Sequence, residues 1–167
     1  IEAVGGATMV TGGSFVGNTA GTNPGNGGAI HGGGTANVTV TDAAATGNRA
    51  SEGGAYWISA SGTLSLFGVT VTGNIAEGAS ADQGGGGVYV DGGVLNVDSG
   101  TGDSVFSGNR ASGASGSGGA ILVNGGSATV FSTTFEQNRS QRAGGAVEVT
   151  APGEGETVLT AFVGSTF

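Results

Sequence analysis

The chain has 167 residues, 39 of them Gly and 2 Pro, with no Cys, 12 acidic side chains and 4 basic ones, all Arg, for a net charge of −8. Gly at under a quarter of the positions excludes collagen, 37% apolar against 10% charged residues excludes a disordered chain, and no apolar run approaches the ~18 residues of a membrane-spanning helix. The acidic balance predicts no nucleic-acid partner and no membrane insertion, and the lack of Cys removes disulfide frameworks, thiolate metal sites and Cys nucleophiles.

In chain order the sequence repeats itself. The first unit, 1–26, opens on Ile1-Glu2, turns at Gly5-Gly6 and closes on Phe15-Val16-Gly17-Asn18. The second, 27–52, runs from Gly27-Gly28-Ala29-Ile30 through Val38-Thr39-Val40 to Ala45-Thr46-Gly47-Asn48. The third, 53–85, runs from Gly53-Gly54-Ala55-Tyr56 through Leu64-Ser65-Leu66 to Val71-Thr72-Gly73-Asn74. The fourth, 86–117, is read from Gly86-Gly87-Val88-Tyr89 to Phe106-Ser107-Gly108-Asn109. The fifth, 118–143, runs from Gly118-Gly119-Ala120-Ile121 through Ala128-Thr129-Val130 to Phe135-Glu136-Gln137-Asn138. The sixth, 144–167, opens on Gly144-Gly145-Ala146-Val147 and reaches Phe167. The Asn positions step by 30, 26, 35 and 29 residues.

Each unit holds three short alternating segments and no helical period, so each predicts three strands and three turns. Such a unit cannot bury its own inner face and must stack on its neighbours about 4.8 Å away. The fold expected is therefore all-β, one parallel β-solenoid domain over 1–167 with six coils. Three inner columns follow. The first is Ile1, Ile30, Tyr56, Tyr89, Ile121 and Val147; the second is Val10, Val40, Leu66, Val97, Val130 and Phe162. The third is Phe15, Ala45, Val71, Phe106, Phe135 and Phe167, with Phe15, Phe106, Phe135 and Phe167 its aromatic members. Asn18, Asn48, Asn74, Asn109 and Asn138 are expected to form a structural ladder, each amide bonding to the next.

The outward side of the first strand reads Glu2, His31, Trp57, Val90, Leu122 and Glu148. Its middle members, His31, Trp57, Val90 and Leu122, allow a lateral contact, a glycan platform around Trp57, or cover beneath a neighbouring loop. The corner between each Asn and the next Gly pair varies most in length, and its longest inserts are strings of Gly, Ser and Ala. Arg49, Arg110 and Arg139 each follow a ladder Asn, which places Arg110 and Arg139 on adjacent coils.

For catalysis the sequence offers little. Glycoside hydrolysis needs two carboxylates about 5–9 Å apart, yet Glu2 and Glu148 fall at opposite ends of the stack. The densest acidic segment, Asp91, Asp98 and Asp103, lacks the spacing of a Ca²⁺ loop, and His31, the only His, has no partner that spacing identifies. No catalytic, cofactor-binding or metal-binding residue is assigned.

The alternation of Phe-x-x-Asn (Phe15 to Asn18, Phe106 to Asn109, Phe135 to Asn138) with Gly-Gly-Ala-apolar (Gly27 to Ile30, Gly118 to Ile121, Gly144 to Val147) resembles the repeat of the chlamydial polymorphic outer membrane proteins and similar bacterial β-helix proteins. The resemblance implies a right-handed parallel β-helix, displayed at the cell surface or secreted, with adhesion the usual role. The function expected is a non-enzymatic extracellular structural protein, the subunit or segment of a fibre or surface stalk, whose partner is another copy stacked head to tail or the rest of a longer solenoid. The alternatives are an adhesin passenger segment binding a host or glycan partner and, below it, a polysaccharide lyase or hydrolase.

Overall fold

A computed structural model describes residues 1–21, 25–80, 82–151 and 158–167. Every strand pairing in it is parallel, and each strand pairs with its equivalents in the coils before and after. The first sheet stacks Glu2–Val4, Ile30–Gly33, Tyr56–Ile58, Val88–Asp91, Ile121–Asn124 and Val147–Thr150. The second stacks Ala7–Thr11, Asn37–Thr41, Thr63–Phe67, Val94–Asp98, Ser127–Phe131 and Leu159–Val163. The third stacks Ser14–Val16, Ala44–Thr46, Thr70–Thr72, Ser104–Ser107 and Thr133–Glu136, extended by a bridge from Thr134 to Thr166. The result is a parallel β-solenoid.

A narrow fourth ladder follows each ladder Asn: Arg49–Ala50, Ile75–Ala76, Arg110–Ala111 and Arg139–Ser140. Its two-residue strands are too short to leave a period-2 signal. They alternate all the same, with Ala50, Ala76 and Ala111 buried and the Arg side exposed.

Two inner columns are those the alternation predicts. Val10, Val40, Leu66, Val97, Val130 and Phe162 are successive Cα partners. So are Phe15, Ala45, Val71, Phe106 and Phe135. The Phe106 and Phe135 rings stack with centroids 5.2 Å apart, and Phe135 stacks in turn on Phe167 at 5.0 Å. The third column narrows to Ala45 and Val71 in the second and third coils. Tyr56, fully buried in the first column, turns its ring edge toward Phe15 there.

The first column departs from expectation in the fourth coil. Tyr56 pairs with Val88, and Val88 with Ile121, so Val88 takes the inner place assigned to Tyr89. Tyr89 points outward, in register with Trp57 and Leu122. Val90, read as outward, is an inner residue with no exposed surface, paired with Ile58 and Val123. The reason lies in the run Gly84-Gly85-Gly86-Gly87. The corner residue of each coil adopts a left-handed backbone, with φ of 66° at Gly27, 60° at Gly53, 62° at Gly118 and 60° at Gly144. In the fourth coil it is Gly85 that does so, at 63°. The coil thus begins one residue earlier than the pair Gly86-Gly87 implies, and Gly87 stands where the other coils have Ala. A one-residue slip exchanges the two faces of a strand.

Candidate functional site

The Asn ladder is the most regular polar structure in the molecule. Asn18 Nδ2 donates to Asn48 Oδ1 at 2.8 Å, Asn48 to Asn74 at 2.9 Å, Asn74 to Asn109 at 3.0 Å and Asn109 to Asn138 at 3.0 Å. The main-chain N–H of each donor residue reaches the same oxygen, at 2.9 Å from Asn18 and Asn48 and 3.0 Å from Asn74 and Asn109. The second amide hydrogen of each later Asn goes back one coil, from Asn48 to Phe15 O, Asn74 to Ala45 O, Asn109 to Val71 O and Asn138 to Phe106 O. Asn48, Asn74 and Asn109 are completely buried. Burial of so many amides is tolerable because every donor and acceptor in the interior rungs is matched. These Asn hold the corner, and no polar atom of the interior rungs is left over for a ligand.

The outward row of the first sheet is, as built, Glu2, His31, Trp57, Tyr89, Leu122 and Glu148. His31 stacks on Trp57 at 4.7 Å, and Trp57 lies nearly parallel to Tyr89 at 6.5 Å. Trp57, Tyr89 and Leu122 form a second, smaller apolar cluster, with Leu122 wholly buried and Trp57 9% exposed. The chain's own variable corner provides the cover. Trp57 Nε1 donates to Glu52 Oε2 at 3.2 Å, and the Tyr89 hydroxyl donates to the carbonyl of Asp82 at 2.8 Å. Asn124 donates to the Tyr89 oxygen at 2.8 Å. An open glycan platform or lateral contact built on Trp57, Val90 and Leu122 is therefore not available: two of these side chains lie under the corner and Val90 lies in the core. Of the four residues, only His31 keeps substantial exposure, its side chain 29% accessible and its Nδ1 3.9 Å from a Glu2 oxygen.

Tyr89, Glu52 and Asp82 are members of this cluster that the sequence reading missed. The slip at the Gly run hid Tyr89, and nothing in the spacing links Glu52 to the ring five residues on. Burial raises the Glu52 carboxyl above its ordinary range, opposed by hydrogen bonds from Gln83 and Trp57 and reinforced by the charges of Asp91 and Asp82. Burial also raises Asp91. The corrected register puts Asp91 on the outward side, in line with Asn124.

The acidic residues Asp91, Asp98 and Asp103 do not converge. Asp98 Oδ1 accepts the Ser99 main-chain N–H at 2.7 Å, a local turn bond. The loop after Asp98 instead reaches the second coil, where Asp42 Oδ1 accepts the Thr101 N–H at 2.8 Å and its hydroxyl at 3.0 Å. Among the described residues no three His, Asp or Glu side chains gather as a metal centre.

The basic residues divide in two. Arg49 pairs with Glu77 at 3.0 Å, and Arg142 pairs with Glu148. Arg110 and Arg139 are Cα partners on adjacent strands of the fourth ladder, both exposed.

One family model matches the chain, the Chlamydia polymorphic membrane protein repeat, over residues 103–124. That stretch contains Phe106 and Asn109 of the third column and ladder, the corner, and the start of the next coil at Gly118 to Asn124. No curated protein and no solved structure gives a significant match. The matched segment spans one full corner between consecutive coils, and the same Asn and Gly positions recur in register through the stack, with Phe, Ala or Val at the column position: the chain is a parallel β-solenoid repeat protein resembling the Chlamydia polymorphic membrane protein repeat family.

Proposed function

We propose that this chain is a non-enzymatic structural segment of a surface or extracellular β-solenoid, whose coils stack on further coils of the same kind. The unbroken register of the inner columns and of the Asn ladder from coil to coil carries this reading. Ile30, Tyr56, Val88, Ile121 and Phe106 are 0–1% exposed because a coil lies on either side of each. A strand edge with unpaired backbone groups beside exposed apolar residues is a template for another strand. Each interior rung of the Asn ladder likewise uses a coil on both sides, as Asn74 donates to Asn109 and accepts from Asn48. A contact between unlike ends does not close on itself and would propagate as a filament. The matched family's description as a membrane protein repeat supports the surface setting.

Electron microscopy of the purified chain tests the reading. Filaments one solenoid wide, lost in a Phe167→Asp variant, are the expected result. A chain that stays monomeric at high concentration overturns self-stacking.

A further inference from the structure

The row after the ladder Asn runs Thr19, Arg49, Ile75, Arg110 and Arg139 along the solenoid axis. Glu77 neutralises Arg49. Among the described residues, neither Arg110 nor Arg139 has an ion pair or a side-chain hydrogen bond. Like charges directly opposite each other on strands about 4.8 Å apart repel and weaken the pairing. Acids are not scarce in this chain, which has 12 of them against 4 Arg. Of the described acids, Glu52 and Asp91 lie near the first-sheet cluster, Asp42 and Asp98 by the corner between the second and third sheets, and Glu148 on Arg142; none, including the exposed Glu136 just before the ladder turn, forms an ion pair with Arg110 or Arg139. Two Arg on paired strands thus stand without an ion pair among the described residues, each with a planar fork suited to an oxyanion.

We propose that Arg110 and Arg139 form a two-point binding site for the sulfate or carboxylate groups of an acidic glycan. The surroundings favour a glycan over a protein partner. The corner after Arg110 is the string Ser112-Gly113-Ala114-Ser115-Gly116-Ser117, without an aromatic or large apolar side chain, and Ile75, the apolar neighbour of Arg110 in the row, is half-buried. A protein interface draws most of its energy from such anchors. A sugar chain does not need them, because hydroxyls and backbone amides meet its own hydroxyls while the two forks hold its charges. The net charge of −8 gives no long-range attraction to a polyanion, so the site acts at contact range, where distant carboxylates are screened beyond about 8 Å at physiological salt. The inference does not rest on end-to-end stacking, because pairing within this chain places both residues, Arg110 on an interior strand of the fourth ladder and Arg139 on its last strand.

The test is binding of the full chain to immobilised heparin, polygalacturonate, uncharged dextran and polyglutamate. Retention on heparin or polygalacturonate, but not dextran, is expected; which of the two is held identifies sulfate or carboxylate as the group recognised. The double variant Arg110→Gln/Arg139→Gln should bind about tenfold more weakly or worse, while Arg49→Gln binds as the parent does. Arg110→Lys, which keeps the charge and loses the fork, should fall between them. The free double variant should melt no lower than the parent, because removing facing like charges relieves repulsion. That separates the loss of binding from damage to the fold. Equal retention of the double variant, failure of both acidic glycans to bind, or equally tight retention on polyglutamate would each overturn the proposal.

Discussion

The side-chain amide of Asn74 and the main-chain N–H of Asn74 both donate to Oδ1 of Asn109, each at 3.0 Å. The same amide reaches back to the carbonyl of Ala45, while Asn74 Oδ1 accepts both donors of Asn48. One buried side chain therefore ties three coils together. Asn74→Ala removes four of these bonds and strands the Asn48 donors and the Ala45 carbonyl away from water. The expected loss is about 3 kcal/mol or more in urea unfolding. Asn18→Ala, at an exposed end of the ladder, should cost less than about 1 kcal/mol.

Phe106 is fully buried and stacked on Phe135. Phe106→Ala should destabilise by about 3–5 kcal/mol, and Phe106→Asp, which places an unpaired charge in the core, should prevent folding. Circular dichroism of both variants checks this. Native stability in the Asp variant is incompatible with the inner column described above.

Tyr56 has no exposed surface, and among the described residues its hydroxyl has no hydrogen-bond partner. Burial of the unsatisfied group raises the phenol's pKa above its ordinary value. Tyr56→Phe keeps the ring and removes the unpaired oxygen. Stability should be unchanged or higher by about 1 kcal/mol, the opposite of the usual outcome for a core substitution. A clear fall in melting temperature would count against this.

Gly87 occupies the place held by Ala29, Ala55, Ala120 and Ala146 in the other coils, so the repeat pattern itself suggests Gly87→Ala as a stabilising change. The packing opposes it. A Cβ there would lie 2.9 Å from the carbonyl oxygen of Ala120, 3.1 Å from a Val71 methyl and 3.4 Å from the Phe106 ring. Thermal melts should show a loss of about 1 kcal/mol or more.

Glu52 and Asp91 both have carboxyls raised by burial. Between the ordinary carboxylate pKa and the raised folded value, the native state holds more protons than the unfolded state. The contribution of these groups to stability is therefore fully present below the ordinary value and falls as pH rises through the raised one. Their part of the stability should grow on acidification from pH 7 to about 5. Comparing melts of the parent and Glu52→Gln isolates it: the variant should gain relative to the parent at neutral pH, and the difference should shrink as pH falls.

Much of the fold is legible in the chain because a solenoid reduces it to spacing. Val40, Leu66, Val97 and Val130 form a column because period-2 alternation sets facing and the 30-residue repeat sets register. The ladder Asn are legible for the same reason, since one residue type recurring at one corner bonds to its own copies. The reading failed at Gly84 to Gly87, where four identical residues leave the position of the left-handed corner undetermined and every later residue of that strand depends on it. It was silent on the fourth ladder, whose two-residue strands carry no period.

The outward row shows the other limit. The sequence alone placed His31, Trp57 and Leu122 in one line along the axis, and left open whether that line met a partner, a glycan or the chain's own loop. The tertiary structure decided for the loop, because Glu52 and Asp82 come from a corner whose length varies between coils and whose path no repeat specifies. The same holds for charge. The count of 12 acids and 4 Arg establishes an acidic protein. The ladder spacing places Arg110 and Arg139 on adjacent coils, but only the tertiary structure decides that Arg49 meets Glu77. Backbone periodicity propagates along the axis and is written into the sequence. Contacts made across corners of unequal length are not periodic, and they exist only once the chain has folded.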